Sequence, residues 1–245
     1  MSEPERYFFC HMQKTAGTSL YSRMKRVFGE QGMYPNDSDG NLPKNGAPVM
    51  IPLLLERWRA RREQIRVISA HFPLCVTELL DADFRTFTVL RDPVERTLSY
   101  LRHTRAKEEG WGERSLEEIY EEPWWYCHFI ENHMVRMLSL RPDEMESFGM
   151  LTIIETDRER LETAKRALEG LDAFGLQEEF DAFAGRLESL FGWDLGPPVR
   201  ENITKHKRVP RSLKKRIAKD NALDIELYEH ARELLGRRTP LLRRI

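Results

Sequence analysis

Tyr7-Phe8-Phe9-Cys10-His11-Met12-Gln13-Lys14-Thr15-Ala16-Gly17-Thr18-Ser19 is the stretch on which the reading of this chain turns. Its first six residues form a short apolar run bounded by a Gly-containing turn, the pattern of a strand buried on both faces. Beyond the turn, Leu20, Met24 and Val27 recur at helical spacing. The stretch therefore predicts a strand, a loop and a helix. A loop so placed presents backbone N–H groups and the positive end of a helix dipole, which together suit an anion. Ala16 and Gly17 leave room for the backbone to approach it. Thr18 and Ser19 bring hydroxyl donors, and Lys14 brings a mobile positive charge. Taken alone, the same residues fit an ordinary strand-to-helix turn with a Thr or Ser cap. They do not fit the nucleotide-triphosphate loop GxxxxGK[ST], because Lys14 precedes Gly17 instead of following a second glycine.

Working outward, Val67-Ile68-Ser69-Ala70, Phe87-Thr88-Val89-Leu90 and Leu151-Thr152-Ile153-Ile154 are further short runs, each followed by a turn and a helical pattern. They read as buried parallel strands. Leu161, Ala164, Leu168 and Leu171 mark one face of a helix, and Ala173-Phe174-Gly175-Leu176 reads as a fifth strand. Such alternation predicts one α/β domain over residues 1–245, with right-handed crossovers and a central, mainly parallel sheet flanked by helices. Residues 28–48, rich in Gly, Pro, Asn and Asp, read as a loop excursion. Residues 111–140, with Trp111, Trp124, Trp125 and Tyr126, read as helices added to the sheet in the position of a lid. Ligands in such folds bind beyond the carboxyl ends of the strands, which directs attention to residues 11–19, 69–73, 91–99 and 155–157.

Composition narrows the classes. The 245 residues are 40% hydrophobic and 32% charged, with 39 Lys and Arg against 40 Asp and Glu. A net charge of −1 excludes a globally basic nucleic-acid binder, so any polyanion must meet a local cluster of cations. The longest uncharged apolar stretch, 46–55, is about half a membrane crossing and contains Pro48 and Pro52. Ser2, Glu3, Pro4, Glu5 and Arg6 are not the start of a signal peptide, so the expected location is the cytoplasm. Cys10, Cys75 and Cys127 are too few and too far apart for a disulfide framework or a metal site, and read as reduced thiols.

A second anion cluster follows the strand at 87–90. In Arg91-Asp92-Pro93-Val94-Glu95-Arg96, Pro93 suits a first helical turn and Asp92 its cap, with Ser99 and Tyr100 further along the helix. Arg91 then stands at a strand's carboxyl end beside the Lys14 loop. A guanidinium fork with a hydroxyl suits a phosphate monoester, although Arg91 can equally be read as pairing with Asp92 or Glu95 at the surface.

Together the two blocks resemble the sulfotransferases that use 3′-phosphoadenosine 5′-phosphosulfate, above all the carbohydrate branch typified by uronyl 2-O-sulfotransferases. The segment from His11 to Ser19 resembles that family's H-x-x-K-T-x-G-T-S, and the segment from Arg91 to Tyr100 its R-D-P-x-x-R-x-x-S-x-Y. The resemblance extends more loosely to Asn132, to residues 175–180 and to a helix at 224–228. Departures are Ala16, where the family often has Gly, and Gln13, where Pro is common. The resemblance implies a P-loop-like three-layer fold and a donor 5′-phosphosulfate held by Lys14, Thr15, Ala16, Gly17, Thr18 and Ser19. It further implies a 3′-phosphate held by Arg91 and Ser99, with adenosine 3′,5′-bisphosphate as the product.

Sulfuryl transfer needs a base, charge stabilisation at the bridging oxygen and in-line placement. A sulfuryl group carries less charge than a phosphoryl group, so no metal is expected, and no metal-ligand spacing is present. His71, in Ser69-Ala70-His71-Phe72-Pro73, resembles the family's catalytic base, and an imidazole suits that task at neutral pH. His11 is a rival at a neighbouring strand end, and other branches use a Glu. Lys14 is the second catalytic candidate, for the departing phosphate. Residues 200–219 carry nine Lys or Arg against Glu201 alone. Such a run is usually a solvated face, but the family closes a loop near here over the nucleotide, which makes Arg200, Lys205 and Lys207 donor-site candidates. The run holds no aromatic residues between its charges, against a nucleic-acid role. The expected partner is a small-molecule or glycan acceptor, with Trp124, Trp125 and Tyr126 available to stack on a sugar. The competing readings are a small-molecule or nucleoside kinase on a related fold, and a nucleotide-binding protein without turnover.

Overall fold

A computed structural model describes residues 5–39, 50–197 and 209–238. In chain order the elements are β1 (Tyr7–Cys10), α1 (Gly17–Gly32), β2 (Met33–Tyr34), α2 (Ile51–Arg61), β3 (Val67–Ala70), β4 (Arg85–Leu90) and α3 (Pro93–Lys107). There follow α4 (Leu116–Glu121), α5 (Pro123–Trp125), a π-helical turn (Tyr126–Ile130), α6 (His133–Ser139), α7 (Arg158–Gly170), β5 (Ala173–Leu176), α8 (Phe180–Phe191), α9 (Arg211–Asp220) and α10 (Ala222–Arg238). The sheet has the order β2-β3-β1-β4-β5, and every pairing in it is parallel.

Side chains of a strand alternate between faces, and here both faces are buried. Phe8 and Cys10 of β1 join one core with Ile68, Ala70, Leu90 and Phe174, under α2, α3, α4, α6, α7 and α10. Tyr7 and Phe9 join the other with Val67, Phe87, Val89 and Ala173, under α1 and α8. The result is helix, sheet, helix in three layers. The expected α/β architecture is thereby observed, and it explains why the strands read as unbroken apolar runs. Among the described residues no helix is long and apolar enough to cross a membrane.

Two elements depart from the sequence reading. Residues 151–154 are not a strand: Gly149–Leu151 is a short 3-10 turn, Thr152 is buried with its hydroxyl taking the Glu146 N–H at 3.0 Å, and Ile153 is exposed. The edge of β4 goes instead to β5, with Phe87 opposite Ala173 and Leu90 opposite Leu176, and Thr152 spends its hydroxyl on the Glu146 N–H outside the sheet. Conversely, the loop excursion contains the edge strand β2, whose Met33 and Tyr34 pair with Val67 and Ile68. Two residues give no periodicity to read.

Candidate active site

The parallel register puts the carboxyl ends of β1, β3 and β4 side by side, since Cys10 lies opposite both Ala70 and Thr88. Whatever follows these strands meets at one edge. After β1 come His11 and the loop. Lys14 (φ 66°) and Ala16 (φ 68°) both adopt left-handed backbone, the kind of residue from which backbone anion nests are built. Thr15 is buried and its hydroxyl donates to the Met12 carbonyl at 2.8 Å, bracing the turn. Ala16 caps α1 without a side-chain hydrogen bond, so the first-turn N–H groups are left facing the loop mouth. Gly17 is dictated by space, for a Cβ there would fall 1.6 Å from His11 Nε2. Thr18 is exposed and Ser19 half-buried at the start of α1.

After β4 comes Arg91, whose Nη1 donates to the Lys14 carbonyl at 3.0 Å. The two sequence-predicted cations therefore share one edge. Burial lowers the proton affinity of both, and the Arg91 charge lowers that of Lys14 further. Glu178, Glu95 and Asp92 act on Arg91 in the opposite sense. Neither carboxylate proposed as its surface partner pairs with it. Asp92 caps α3 by accepting the Glu95 N–H at 2.9 Å, and Glu95 is paired with Lys214 of α9 at 2.8 Å. Among the described residues neither Lys14 nor Arg91 enters an ion pair. Ser99 lies half-buried on α3 two turns beyond Pro93.

After β3 comes His71, whose Nδ1 faces the His11 carbonyl at 2.7 Å. A carbonyl can only accept, so Nδ1 carries the proton and Nε2 holds the lone pair. The His71 and His11 rings lie 4.2 Å apart. Burial pushes His71 down to about 4, the hydrogen bond to His11 pulls it up, and Lys14 pushes it down again. His11 is held well below the usual range by burial, by His71 and by Lys14. Both rings are neutral at pH 7.

The sequence reading passed over His103, one turn beyond Ser99 on α3, which is exposed and also feels the Lys14 charge. Its signal was the i, i+4 spacing to Ser99. It also passed over a polar hub behind the site. Arg96, with no exposure, donates through Nη2 to the Phe129 and Ile130 carbonyls at 3.0 Å each, and Arg136 donates to those of Cys127 and His128. Two guanidinium groups thus gather the carbonyls that end the π-helical turn. Asp224 of α10 accepts the Met134 and Val135 N–H groups at 3.0 and 2.8 Å, anchoring the start of α6. Asn132 takes left-handed backbone at φ 39° and donates through Nδ2 to Thr156. The looser resemblance at 132 and 224 therefore falls on residues that hold the scaffold. Of the aromatic cluster, Trp125 packs on Tyr100, Trp111 and Phe129, while Trp124 stays 46% exposed. Arg200, Lys205 and Lys207 lie outside the described residues, and among the described ones no three His, Cys, Asp or Glu side chains converge as metal ligands.

The profile of the sulfotransferase family matches residues 1–231. Human heparan-sulfate 6-O-sulfotransferase 2 (Homo sapiens) is 28% identical over 280 aligned residues, covering 96% of this chain and 45% of that protein. The protein of the same name from Mus musculus is 28% identical over 190 residues, covering 66% and 31%. The chain thus spans less than half the length of these relatives. A crystal structure of a sulfotransferase from Alicyclobacillus acidocaldarius matches with a TM-score of 0.49 at 16% identity, over 92% of this chain and 95% of that one.

Proposed function

The chain belongs to the sulfotransferase family, and from that premise we propose that it transfers a sulfuryl group from 3′-phosphoadenosine 5′-phosphosulfate to a hydroxyl, with a glycan as the acceptor. One observation carries the reading: the half-buried Lys14 and Arg91 converge on one edge with no counter-charge paired to either among the described residues. Holding two desolvated like charges together is costly, and an anion with groups at both ends offsets that cost. The orphaned, buried Arg91 Nε offers it a further donor. Support for a glycan comes from the relatives named for heparan sulfate and from the exposed indole of Trp124.

The donor supplies the sulfuryl group and a phosphate leaving group. Lys14 and the backbone from Thr15 to Ser19 hold its 5′ end, and Arg91 with Ser99 its 3′-phosphate. Arg200, Lys205 and Lys207 are carried forward as further nucleotide contacts. His71 accepts the acceptor hydroxyl's proton at Nε2, while its Nδ1–H stays on the His11 carbonyl and steadies the imidazolium that forms. Lys14 meets the charge that builds on the departing phosphate. An anion bound at Lys14 also cancels the positive field on His71, raising the affinity of that base for a proton when it is needed.

Thermal unfolding with adenosine 3′,5′-bisphosphate beside ATP tests this. Selective stabilisation by the bisphosphate is expected, about 2.7 kcal/mol at a hundredfold excess over Kd. It should be accompanied by bisphosphate release from the sulfuryl donor when a heparosan oligosaccharide is present. Preference for ATP would replace the reading with the kinase, and binding without release would replace it with the nucleotide-binding protein.

A further inference from the structure

His11 touches more of the site than any mechanism above uses. Its ring lies almost parallel to that of Phe9, with centroids 5.0 Å apart and planes at 10°. Phe9 in turn stacks on Phe87 of β4 at 5.1 Å and 7°. On its other side the His11 ring meets His71 at 4.2 Å and 40°. Its Nε2 occupies the space that a Cβ on Gly17 would fill, at 1.6 Å from the ideal position. Its carbonyl takes the His71 Nδ1–H at 2.7 Å. A row of flat rings therefore runs Phe87, Phe9, His11, His71 from the core beneath α1 to the exposed edge, and the third ring is also pressed against the first residue of α1.

This arrangement follows from the strand. Residues 9 and 11 share a face of β1 and its extension, so the His11 ring must continue the stack begun by Phe9. With Nε2 against the Gly17 backbone, that nitrogen is closed on the side of α1. What His11 can do is limit where the His71 ring goes, since ring and carbonyl hold it from two sides. A displacement of about 1 Å at a reacting group costs on the order of 100-fold in rate, so such a limit is worth having.

We infer that His11 is a positioning residue, an imidazole wedge between Gly17 and His71 that keeps His71 Nδ1 on the His11 carbonyl and Nε2 free to take a proton. The inference rests on the reading of His71 as proton acceptor and assigns His11 no proton transfer of its own. A shape-preserving ring in its place must then serve, and loss of the ring must not.

The test compares His11→Phe with His11→Ala in the full chain. Long-range 1H–15N spectra, with His71 assigned from its loss in His71→Asn, report which nitrogen of His71 bears the proton. Bisphosphate release from the sulfuryl donor with a heparosan oligosaccharide reports turnover, and thermal shift by adenosine 3′,5′-bisphosphate reports the nucleotide site. In His11→Ala, His71 should lose its uniform Nδ1–H signature and turnover should fall roughly 30-fold, a partial form of the cost of misplacement. The bisphosphate shift should stay within about twofold in midpoint. His11→Phe should keep the His71 signature and most of the turnover. If His11→Ala does not fold, Gly17→Ala pushes the ring from the opposite side and must disturb the His71 signature in its place. An unchanged His71 spectrum in His11→Ala overturns the wedge, and so does a folded His11→Phe as inactive as His11→Ala. Absence of any bisphosphate shift or release in the parent, with the His71 signature intact and lost in His11→Ala, would instead count against the sulfuryl-transfer reading alone.

Discussion

Arg91 and Arg96 are five residues apart and meet opposite fates. Arg96 points into the interior, where the Phe129 and Ile130 carbonyls receive it, beside Arg136 with its own carbonyls and within the field of Asp224. Arg91 stops at the edge of the sheet, where Nη1 donates to the Lys14 carbonyl and the carboxylates of Asp92 and Glu95 are engaged with other groups. The interior hub ties the π-helical turn to α6 and α10 through bonds to backbone carbonyls and N–H groups, with Arg96 Nε and Nη1 and Arg136 Nε left over. The sheet edge leaves Lys14 and Arg91 out of any ion pair among the described residues and adds two left-handed residues, Lys14 and Ala16, to the cost. Identical guanidinium groups thus differ in what stands opposite them: carbonyls and the field of Asp224 for Arg96, and for Arg91 the sheet edge proposed above to receive the donor.

The division is sharpest in variants that separate stability from function. On the edge side, His71→Ala should lower turnover of the sulfuryl donor by about 10²–10⁴-fold while the adenosine 3′,5′-bisphosphate midpoint hardly moves, the behaviour of a lost general base. Steady-state kinetics beside thermal-shift titration would reveal it, and near-normal turnover would remove the role. On the hub side, Asp224→Ala should cost about 3–5 kcal/mol in urea unfolding, because it strips the anchor of α6 and leaves two buried cations without their nearby carboxylate. A loss under about 1 kcal/mol would show the hub to be no scaffold. Arg91→Ala should do the reverse, leaving urea stability within about 1 kcal/mol while weakening the bisphosphate by about 1.5–3 kcal/mol, one charged hydrogen-bonding group. The smallest effect is reserved for Ala16→Gly. Left-handed backbone costs an alanine about 1–2 kcal/mol, and glycine returns part of that gain through its freer unfolded chain, so a net rise of about 0.5–1 kcal/mol is expected in the same unfolding assay. A fall would mean that the loop is held in this shape without strain.

How much of this could be read in advance varied by element for physical reasons. The runs at 7–12, 67–70, 87–90 and 173–176 announced themselves because both faces of the sheet are covered there, while the start of β4, with Arg85 exposed and Thr86 half-buried, did not. The same composition misled at 151–154, where the edge of β4 went to the run at 173–176 instead. Lys14, Arg91 and His71 could be placed at one edge because each directly follows a strand or its first turn, and a parallel register aligns those ends. The division of labour between His11 and His71 was not legible, since both follow strands as lone histidines. It depends on the Gly17 backbone and on which carbonyl faces which nitrogen. Nor was the buried fate of Arg96, which in the chain looks like one more member of an anion cluster.

By itself, then, the order of residues determined the α/β layering, the meeting of two separated motifs and the types of group that meet, because periodicity and turn chemistry are local and parallel pairing is nearly the only way to join such units. Only the tertiary structure decided that Arg96 turns inward to carbonyls while Arg91 stays at the sheet edge, that His71 Nδ1 faces the His11 carbonyl, and that Ala16 takes left-handed backbone. Those outcomes turn on distances of a few ångströms between side chains and backbone groups 33 to 90 residues apart, and no local pattern carries them.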